Sequence, residues 1–306
     1  MPAFRCALNQ RGMKLVMRNR RLFHAGLWCR RVGWLTGAIS LSCAIALFLS
    51  WHQDEVVLRQ EAMAITANLG TDSSRIGAVN NWVYHNKGFA SNDRYFILPA
   101  LGPTPIQVME LGGDCSDKSR LVAAMLNSLG IHAGLVMISP CLHCGFIHTV
   151  VEAQYEDGRM VVDPTWNVDY PAGGGLFLGV ADLAGTRRGQ DRVVELQDQR
   201  AASDKIAQIP PDDAVFDYAV SMNWDRDIVT RMVAAALQVT GHPPEALFRP
   251  RVLEDPKLFL VVGLIIIATV LVATGFLLYI GLRSAGMRSP QPLTSAHADG
   301  PRATDA

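Results

Sequence analysis

Three residues in the middle of this chain have the types and the order that thiol-based acyl transfer requires. Cys115 stands in the segment GGDCSDK (residues 112–118), where a glycine turn leads into an amphipathic helix. A cysteine at a helix N-terminus meets unpaired backbone N–H groups and the positive end of the helix dipole, and both favour the thiolate. His148 and Asp163 follow in strand-like segments. We therefore predict that Cys115 attacks a carbonyl carbon.

The spacing between His148 and Asp163 matters because a carboxylate beside the imidazole would fix its tautomer and stabilise its charged form. A hairpin with a four-residue loop at 154–157 would place the two residues directly opposite, about 5 Å apart at Cα. A two-residue turn at Asp157-Gly158 would displace them by four residues, which is too far to bond. The sequence therefore predicts the longer loop.

The surrounding segments predict an α+β fold, in which a helix that bears Cys115 packs on a small antiparallel sheet that carries His148 and Asp163. The apolar stripe of this helix is formed by Leu121, Val122, Met125, Leu126 and Leu129. Runs rich in Val and Ile predict the strands. The predicted helices are 54–69, 75–86, 105–110, 115–129 and 226–240, and the predicted strands are 133–139, 146–154 and 159–163.

Two long apolar segments predict membrane spans. Residues 258–282 carry no charged side chain, and a helix of that length is roughly 37 Å long, which exceeds the ~30 Å hydrocarbon core of a bilayer. Residues 33–51 are shorter and would also suit the apolar region of a signal peptide. The long segment before them has many basic residues and no acidic one. Such a segment favours an uncleaved anchor whose N-terminal side stays in the cytoplasm.

The predicted organisation has five parts. They are a basic cytoplasmic segment (1–32), a first span (33–51), an extracytoplasmic domain (52–257), a second span (258–282) and a disordered tail (283–306). We expect the bacterial inner membrane, with the domain in the periplasm or outside the cell. Arg249, Arg251 and Lys257 flank the second span on its outer side and oppose this orientation, but the first span usually dominates.

Residues about 75–170 resemble a transglutaminase-like domain, a branch of the papain-like cysteine enzymes whose triad order is Cys, His, Asp. The matching segments are GDCSD (113–117), LGI (129–131), His148 with Glu152, and VDPTW (162–166). The resemblance implies that Cys115 is the nucleophile, His148 the base and Asp163 the residue that orients the base. Two positions depart from the family pattern: Val150 stands where an aromatic residue is common, and Lys118 where a small one is frequent.

The resemblance also implies a thioester on Cys115, formed from an amide or ester and released to water or to an amine. The backbone N–H of Cys115 and a second donor would bind the oxyanion. Trp82 resembles a tryptophan that some transglutaminases use as this donor, although core packing is the simpler interpretation of its position. Trp166 is expected to cover the His148–Asp163 pair.

A second cluster competes for the same histidine. Cys141, His143 and Cys144, together with His148, offer two thiols and two imidazoles that would suit zinc. A local disulfide or two inert thiols are the alternatives. Both are favoured in an oxidising compartment, so we expect no metal in the site, and we expect no cofactor. Zinc on His148 would remove the base, so the metal and thiol interpretations compete for one residue. A zinc-stabilised structural domain is the third interpretation of the chain, and it rests on this cluster alone.

Composition narrows the function classes further. Lys+Arg and Asp+Glu number 28 each, so the net charge gives no sign of a nucleic-acid partner. No nucleotide-binding loop or calcium loop appears. The leading interpretation is a membrane-anchored cysteine protease, amidase or acyltransferase that acts on a peptide, protein or cell-envelope amide and contacts membrane lipid. The alternative is a catalytically silent transglutaminase-like module that binds a partner at the membrane.

Overall fold

A computed structural model of the protein describes residues 3–89, 95–139, 148–183, 191, 218–221, 228–241 and 249–287. The helices are α1 (Ala3–Thr66), α2 (Asp72–Asn86), α3 (Pro105–Leu111), α4 (Cys115–Ser128), α5 (Val180–Leu183), α6 (Ile228–Val239) and α7 (Pro256–Met287). The strands are β1 (Ala133–Ser139), β2 (His148–Tyr155), β3 (Gly158–Asp163), β4 (Val168–Asp169), β5 (Pro171–Gly173), β6 (Leu176–Phe177) and β7 (Tyr218–Val220). The fold is α+β, as the sequence predicts.

The main sheet is antiparallel and has the order β4-β3-β2-β1-β7, while β5 and β6 form a separate hairpin. Side chains alternate between the two faces of each strand, so the sheet separates two apolar clusters. The face that α2, α3 and α4 cover buries Ile76, Val79, Val83, Leu121, Met125, Leu126, Val151 and Met160. The other cluster contains Val136, Ile138, Val150, Val161, Trp166, Val168, Tyr170 and Leu183. The apolar stripe predicted for the Cys115 helix is therefore confirmed as its core face.

The hairpin between β2 and β3 differs from the prediction. Tyr155 pairs with Gly158, so the loop holds two residues, 156 and 157, rather than four. Val151 pairs with Val162, and the same register places Asp163 opposite position 150. His148 and Asp163 thus share a face with an offset of two residues. Such diagonal neighbours lie within reach of an aromatic side chain, which is why the shorter loop still permits the bond.

The two apolar segments lie in the long helices α1 and α7. Each helix contains a stretch that is long and apolar enough to cross a membrane, within His24–Thr66 and Pro256–Ser284. Helix α1 continues without a break through the predicted span at 33–51 and the predicted helix at 54–69. Contacts divide the chain into two units, one formed by Met1–Cys43 with Leu264–Ala306 and the other by Ala44–Gly263.

Small residues allow α1 and α7 to pack closely within the first unit. A Cβ atom at Gly33 would lie 2.8 Å from the carbonyl oxygen of Leu271, and one at Gly37 would lie 2.7 Å from a methyl group of Val272. Gly33 and Gly37 are four residues apart and form the small-xxx-small pattern that brings membrane helices together. Large apolar side chains elsewhere on both helices are exposed. The two helices therefore pack through their small residues and leave their large apolar side chains exposed.

Replacement of Leu126 by alanine tests the helix-on-sheet core. Leu126 is fully buried on α4, and the loss of a buried leucine leaves a cavity that costs about 2–5 kcal/mol of unfolding free energy. We expect the thermal unfolding midpoint of the full chain in detergent to fall clearly. Leu176→Ala is the matched control because Leu176 is 47% exposed. Equal midpoints for the two variants would contradict this packing.

Candidate active site

The first turn of α4 presents Cys115 beside free backbone donors. Asp114 caps the helix, and its Oδ1 accepts the N–H of Asp117 at 3.0 Å. The first N–H groups of a helix have no partner within the helix. The N–H of Asp117 already donates to Asp114, so the N–H groups of Cys115 and Ser116 are left to bind an oxygen atom of a substrate. The thiol itself is half-buried.

The two glycines before Cys115 are required by close approaches. Gly112 has φ of 77°, and a Cβ there would lie 2.5 Å from the carbonyl oxygen of Gly88. The N–H of Gly113 donates to that same oxygen at 3.2 Å. A Cβ at Gly113 would overlap the side chain of Asp117. A larger residue at either position would displace the turn, and with it the sulfur of Cys115.

His148 and Asp163 form a buried ion pair at the end of the sheet. Nε2 of His148 lies 2.7 Å from Oδ2 of Asp163, and the two side chains are 4% and 1% exposed. The other carboxylate oxygen, Oδ1, accepts the N–H of Thr165 at 2.8 Å and the N–H of Trp166 at 3.3 Å. These backbone bonds fix the carboxylate so that its other oxygen, Oδ2, points toward the imidazole.

Trp166 covers this pair. Its ring stacks on the imidazole of His148 with centroids 4.0 Å apart and planes inclined by 28°. Trp166 is itself buried, and it belongs to the apolar cluster on that face of the sheet. The expected covering role is therefore confirmed. The stack excludes water from one face of the imidazole and restricts its rotation.

The imidazole connects the carboxylate to the thiol. The thiol of Cys115 is close enough to His148 to raise the pKa of its imidazole, and Asp163 acts in the same direction. Because Nε2 faces Asp163, Nδ1 is the nitrogen available to the sulfur. The structure thus brings the three predicted residues together in the order thiol, imidazole, carboxylate.

The balance of forces on His148 favours its protonated form. Burial lowers the pKa of the imidazole, but the charge and hydrogen bond of Asp163, helped by Cys115, outweigh burial and raise that pKa to about 9. At neutral pH the ring therefore holds both protons. An imidazolium beside a cysteine stabilises the thiolate, which is the form that attacks carbonyl carbon.

Two contacts that the sequence did not indicate hold the site in place. Ser119 lies one turn beyond Cys115, and its hydroxyl donates to the carbonyl oxygen of Thr149 at 2.9 Å. Thr149 is the neighbour of His148, so this fully buried serine ties the helix of the nucleophile to the strand of the base. A serine within an apolar helix face is only a weak signal of such a bond.

The second contact supports the turn after Asp163. Asn167 has φ of 53°, a left-handed conformation that asparagine tolerates better than most residues. Its side chain donates to Oδ1 of Asn81 at 2.8 Å and accepts from Nδ2 of Asn80 at 3.2 Å. Helix α2 thereby clamps the loop that carries Trp166.

Lys118 adds a second cation near the pair. It is 2% exposed, and its ammonium lies 5.8 Å from the centroid of the Tyr84 ring. Burial lowers the pKa of Lys118, while the carboxylate of Asp163 acts in the opposite direction. The structure shows that Lys118 faces the interior near Asp163 rather than the solvent.

Trp82 and Glu152, which the sequence also singled out, make contacts other than with the Cys115–His148–Asp163 group. Trp82 is half-buried on α2 and packs against the main core, with the ammonium of Lys87 4.6 Å from its ring centroid. Its role as an oxyanion donor stays a prediction. Glu152 accepts the N–H of Val180 at 2.8 Å and pairs with Arg159 at 3.1 Å, so it anchors the segment that leads into α5.

The possible zinc ligands are His148, which the structure describes, and three residues that it does not. Cys141, His143 and Cys144 lie outside the described residues. Within the described ranges, no three His, Cys, Asp or Glu side chains are grouped as metal ligands would be.

Comparisons with known proteins give only distant likenesses. No family model matches the chain, and no curated protein matches it. A structure of a proposed cysteine protease from Cytophaga hutchinsonii is 20% identical over 37% of this chain and 38% of its own, with a TM-score of 0.31. A structure of a proposed protease from Parabacteroides distasonis ATCC 8503 is 15% identical over 41% of this chain and 30% of its own, with a TM-score of 0.28. Both TM-scores are well below the level that indicates a shared fold.

His148→Ala tests whether the imidazole activates the thiol. A cysteine without such a partner is only a few per cent thiolate near pH 7, so we expect alkylation of Cys115 to slow by ~10-fold or more. The rate is measured on the Cys115 peptide by mass spectrometry, because the chain has other cysteines. His132→Ala, at an exposed histidine of the same domain, should leave the rate unchanged. Equal rates in all three proteins would rule out an activated pair.

Proposed function

We propose that this protein is a membrane-anchored, transglutaminase-like cysteine enzyme that cleaves or transfers an amide acyl group through a thioester on Cys115. The single observation that carries the proposal is the buried ion pair of His148 with Asp163 at 2.7 Å, on an imidazole whose charged form the thiol of Cys115 also favours. A structural histidine needs no carboxylate and thiol that both favour its charged form. The sequence order of the three residues is also that of the transglutaminase-like family.

The geometry supports a two-step reaction. The thiolate of Cys115 attacks the carbonyl carbon, and the resulting oxyanion accepts the backbone N–H of Cys115 and a second donor, for which Trp82 is the candidate. As the carbon–nitrogen bond breaks, the imidazolium of His148 gives its proton to the leaving amine. Water or another amine then attacks the thioester, His148 takes a proton from it, and the thiolate of Cys115 leaves.

Asp163 takes no proton in this scheme. Two backbone hydrogen bonds hold the carboxylate of Asp163, and its other oxygen bonds Nε2 of the imidazole, which leaves Nδ1 for the thiol. The charge of Asp163 stabilises the imidazolium in both steps. Trp166 shields the pair from water, which strengthens the electrostatic interaction between them.

The two apolar helices support a membrane anchor. Their exposed apolar side chains and their close glycine packing both suit a lipid surrounding. The basic segment before the first span favours an orientation in which the Cys115 domain lies outside the cytoplasm, in the periplasm or outside the cell, with the bacterial inner membrane as the expected location. Arg251 and Lys257, which count against that orientation, form ion pairs with Glu55 and Asp54 and so have a structural reason to stand there.

We propose an amide of a peptide, a protein or the cell envelope as the substrate. A half-buried thiol beside backbone donors suits the carbonyl of an extended peptide, a protein side chain or a cell-envelope amide. An amine acceptor in place of water would give transfer rather than hydrolysis. The family resemblance includes both outcomes, so the products of the reaction decide between them.

Activity should depend on one sulfur atom. We expect the intact chain to release amine from members of a library of peptides and cell-wall fragments, and Cys115→Ala to lose this activity completely. Cys43→Ala, which removes a cysteine of the other unit, is the matched control and should retain it. Mass spectrometry with and without an added primary amine separates hydrolysis from transfer and detects an acyl group on the Cys115 peptide.

Two outcomes would contradict the proposal. Products that persist in Cys115→Ala would show that the thiol is not the nucleophile. Fragments that bind equally to the intact chain and to Cys115→Ala, with no product from either, would favour the silent binding module.

A further inference from the structure

The loop before α3, residues 95–104, exposes three large side chains that are apolar or aromatic. Tyr95, Ile97 and Leu98 are 46%, 61% and 53% exposed. They lie close together in the chain, on a segment with little regular structure. Single exposed apolar residues are common on protein surfaces, but a group of large ones on a loop marks a contact with an apolar partner.

The backbone of this loop is held in an unusual conformation. Ile97 has φ of 62°, a left-handed value that is rare for a β-branched residue and costs free energy. The N–H of Leu98 donates to the carbonyl oxygen of Phe96 at 2.6 Å, and the N–H of Phe96 donates to that of Gly102 at 2.9 Å. Hydrogen bonds therefore stabilise a conformation that leaves Ile97 and Leu98 exposed.

The loop lies beside the place where the second apolar helix begins. The ring of Phe96 is 5.7 Å from the ammonium of Lys257, which is the second residue of α7. Lys257 pairs with Asp54 at 2.5 Å and donates to Ser50 at 2.8 Å. Ser50 and Asp54 flank the end of the apolar run of α1. The loop thus stands at the level at which both apolar helices reach their first charged residues.

Near these first charged residues, the two helices also have side chains of the types that are common at a membrane surface. Arg251 pairs with Glu55 at 2.7 Å, and its guanidinium lies 5.8 Å from the centroid of the Trp51 ring. Tryptophan and basic side chains concentrate where the hydrocarbon core of a bilayer meets its headgroups. A loop at that depth with exposed apolar side chains is placed to enter the boundary between headgroups and acyl chains.

We propose that Tyr95, Ile97 and Leu98 form a third membrane contact, which inserts into the phospholipid interface beside the two spans. This proposal rests on the membrane placement in the proposed function. The loop is also bonded to the helix of the nucleophile, because Arg120 donates to the carbonyl oxygen of Pro103 at 3.2 Å and pairs with Asp117 at 3.1 Å. Insertion of the loop would therefore hold the Cys115 helix at a fixed height above the bilayer.

Photo-crosslinking to lipid tests the contact directly. Benzoylphenylalanine replaces Tyr95 in one variant of the full chain and Leu98 in another, and each protein is reconstituted in vesicles of phosphatidylethanolamine and phosphatidylglycerol. The Tyr95 variant exchanges one aromatic side chain for another, so it should fold even if the Leu98 variant does not. After irradiation, peptide mass spectrometry identifies lipid adducts at each position.

Two further positions calibrate the result. Ile266 is 57% exposed in the middle of the apolar run of α7 and reports whether that helix contacts lipid. Leu176 is 47% exposed in β6 and is the negative control. The N–H of its neighbour Phe177 donates to the hydroxyl of Tyr155, and the adjacent Glu156 accepts the N–H of Asp72, which follows the end of α1 at Thr66. Thr66 is roughly 22 Å along that helix from Trp51.

We expect lipid adducts at positions 95 and 98 that are several-fold more abundant than at 176 and comparable with those at 266. Adducts at 266 with only background at 95 and 98 would overturn the loop contact and leave the anchor intact. Crosslinks from 95 and 98 to protein instead of lipid would also overturn it, because the occupant would then be a protein. No adduct at 266 would refute the membrane placement itself, and the loop proposal with it.

Discussion

The hydrogen-bonded ion pair between His148 and Asp163 is the constraint on which the rest of the site depends. Both side chains are almost completely buried, and a buried charge is tolerated only when it is paired and its hydrogen bonds are satisfied. The carboxylate meets this condition with three bonds, two from the backbone and one from the imidazole. In return, Asp163 keeps a proton on His148 that burial alone would remove.

The surrounding fold serves to bring a thiol to this pair. Helix α4 starts at Cys115 because two glycines permit a turn that a Cβ atom would block. The bond from Ser119 to the strand of His148 then fixes the helix against the sheet. Neither the turn nor the bond performs chemistry, but a small shift of either would move the sulfur away from the imidazole, and acyl transfer is sensitive to such distances.

Much of the local structure could be read from the sequence because it depends on local signals. The helix that follows the glycine turn is present with Cys115 at its start and its apolar stripe in the core. The three predicted strands are present too, and two of them carry His148 and Asp163. The register of the hairpin could not be read in the same way. The prediction of a four-residue loop assumes that His148 and Asp163 lie directly opposite each other, whereas the length of the imidazole allows a bond across an offset of two residues. The contacts of Ser119 and Asn167 escaped prediction because they join residues distant in sequence, and no local pattern encodes such a pair.

The central claim is that Asp163 and Cys115 keep His148 charged at neutral pH, and the titration of its ring tests this most directly. Histidine is labelled with ¹⁵N in the full chain, and the signal of His148 is assigned by its absence from His148→Gln. The account predicts that the ring loses its proton only near pH 9 in the intact protein, and at a clearly lower pH in Asp163→Asn. A ring that titrates near its ordinary value of about 6.5 in both proteins would contradict the account.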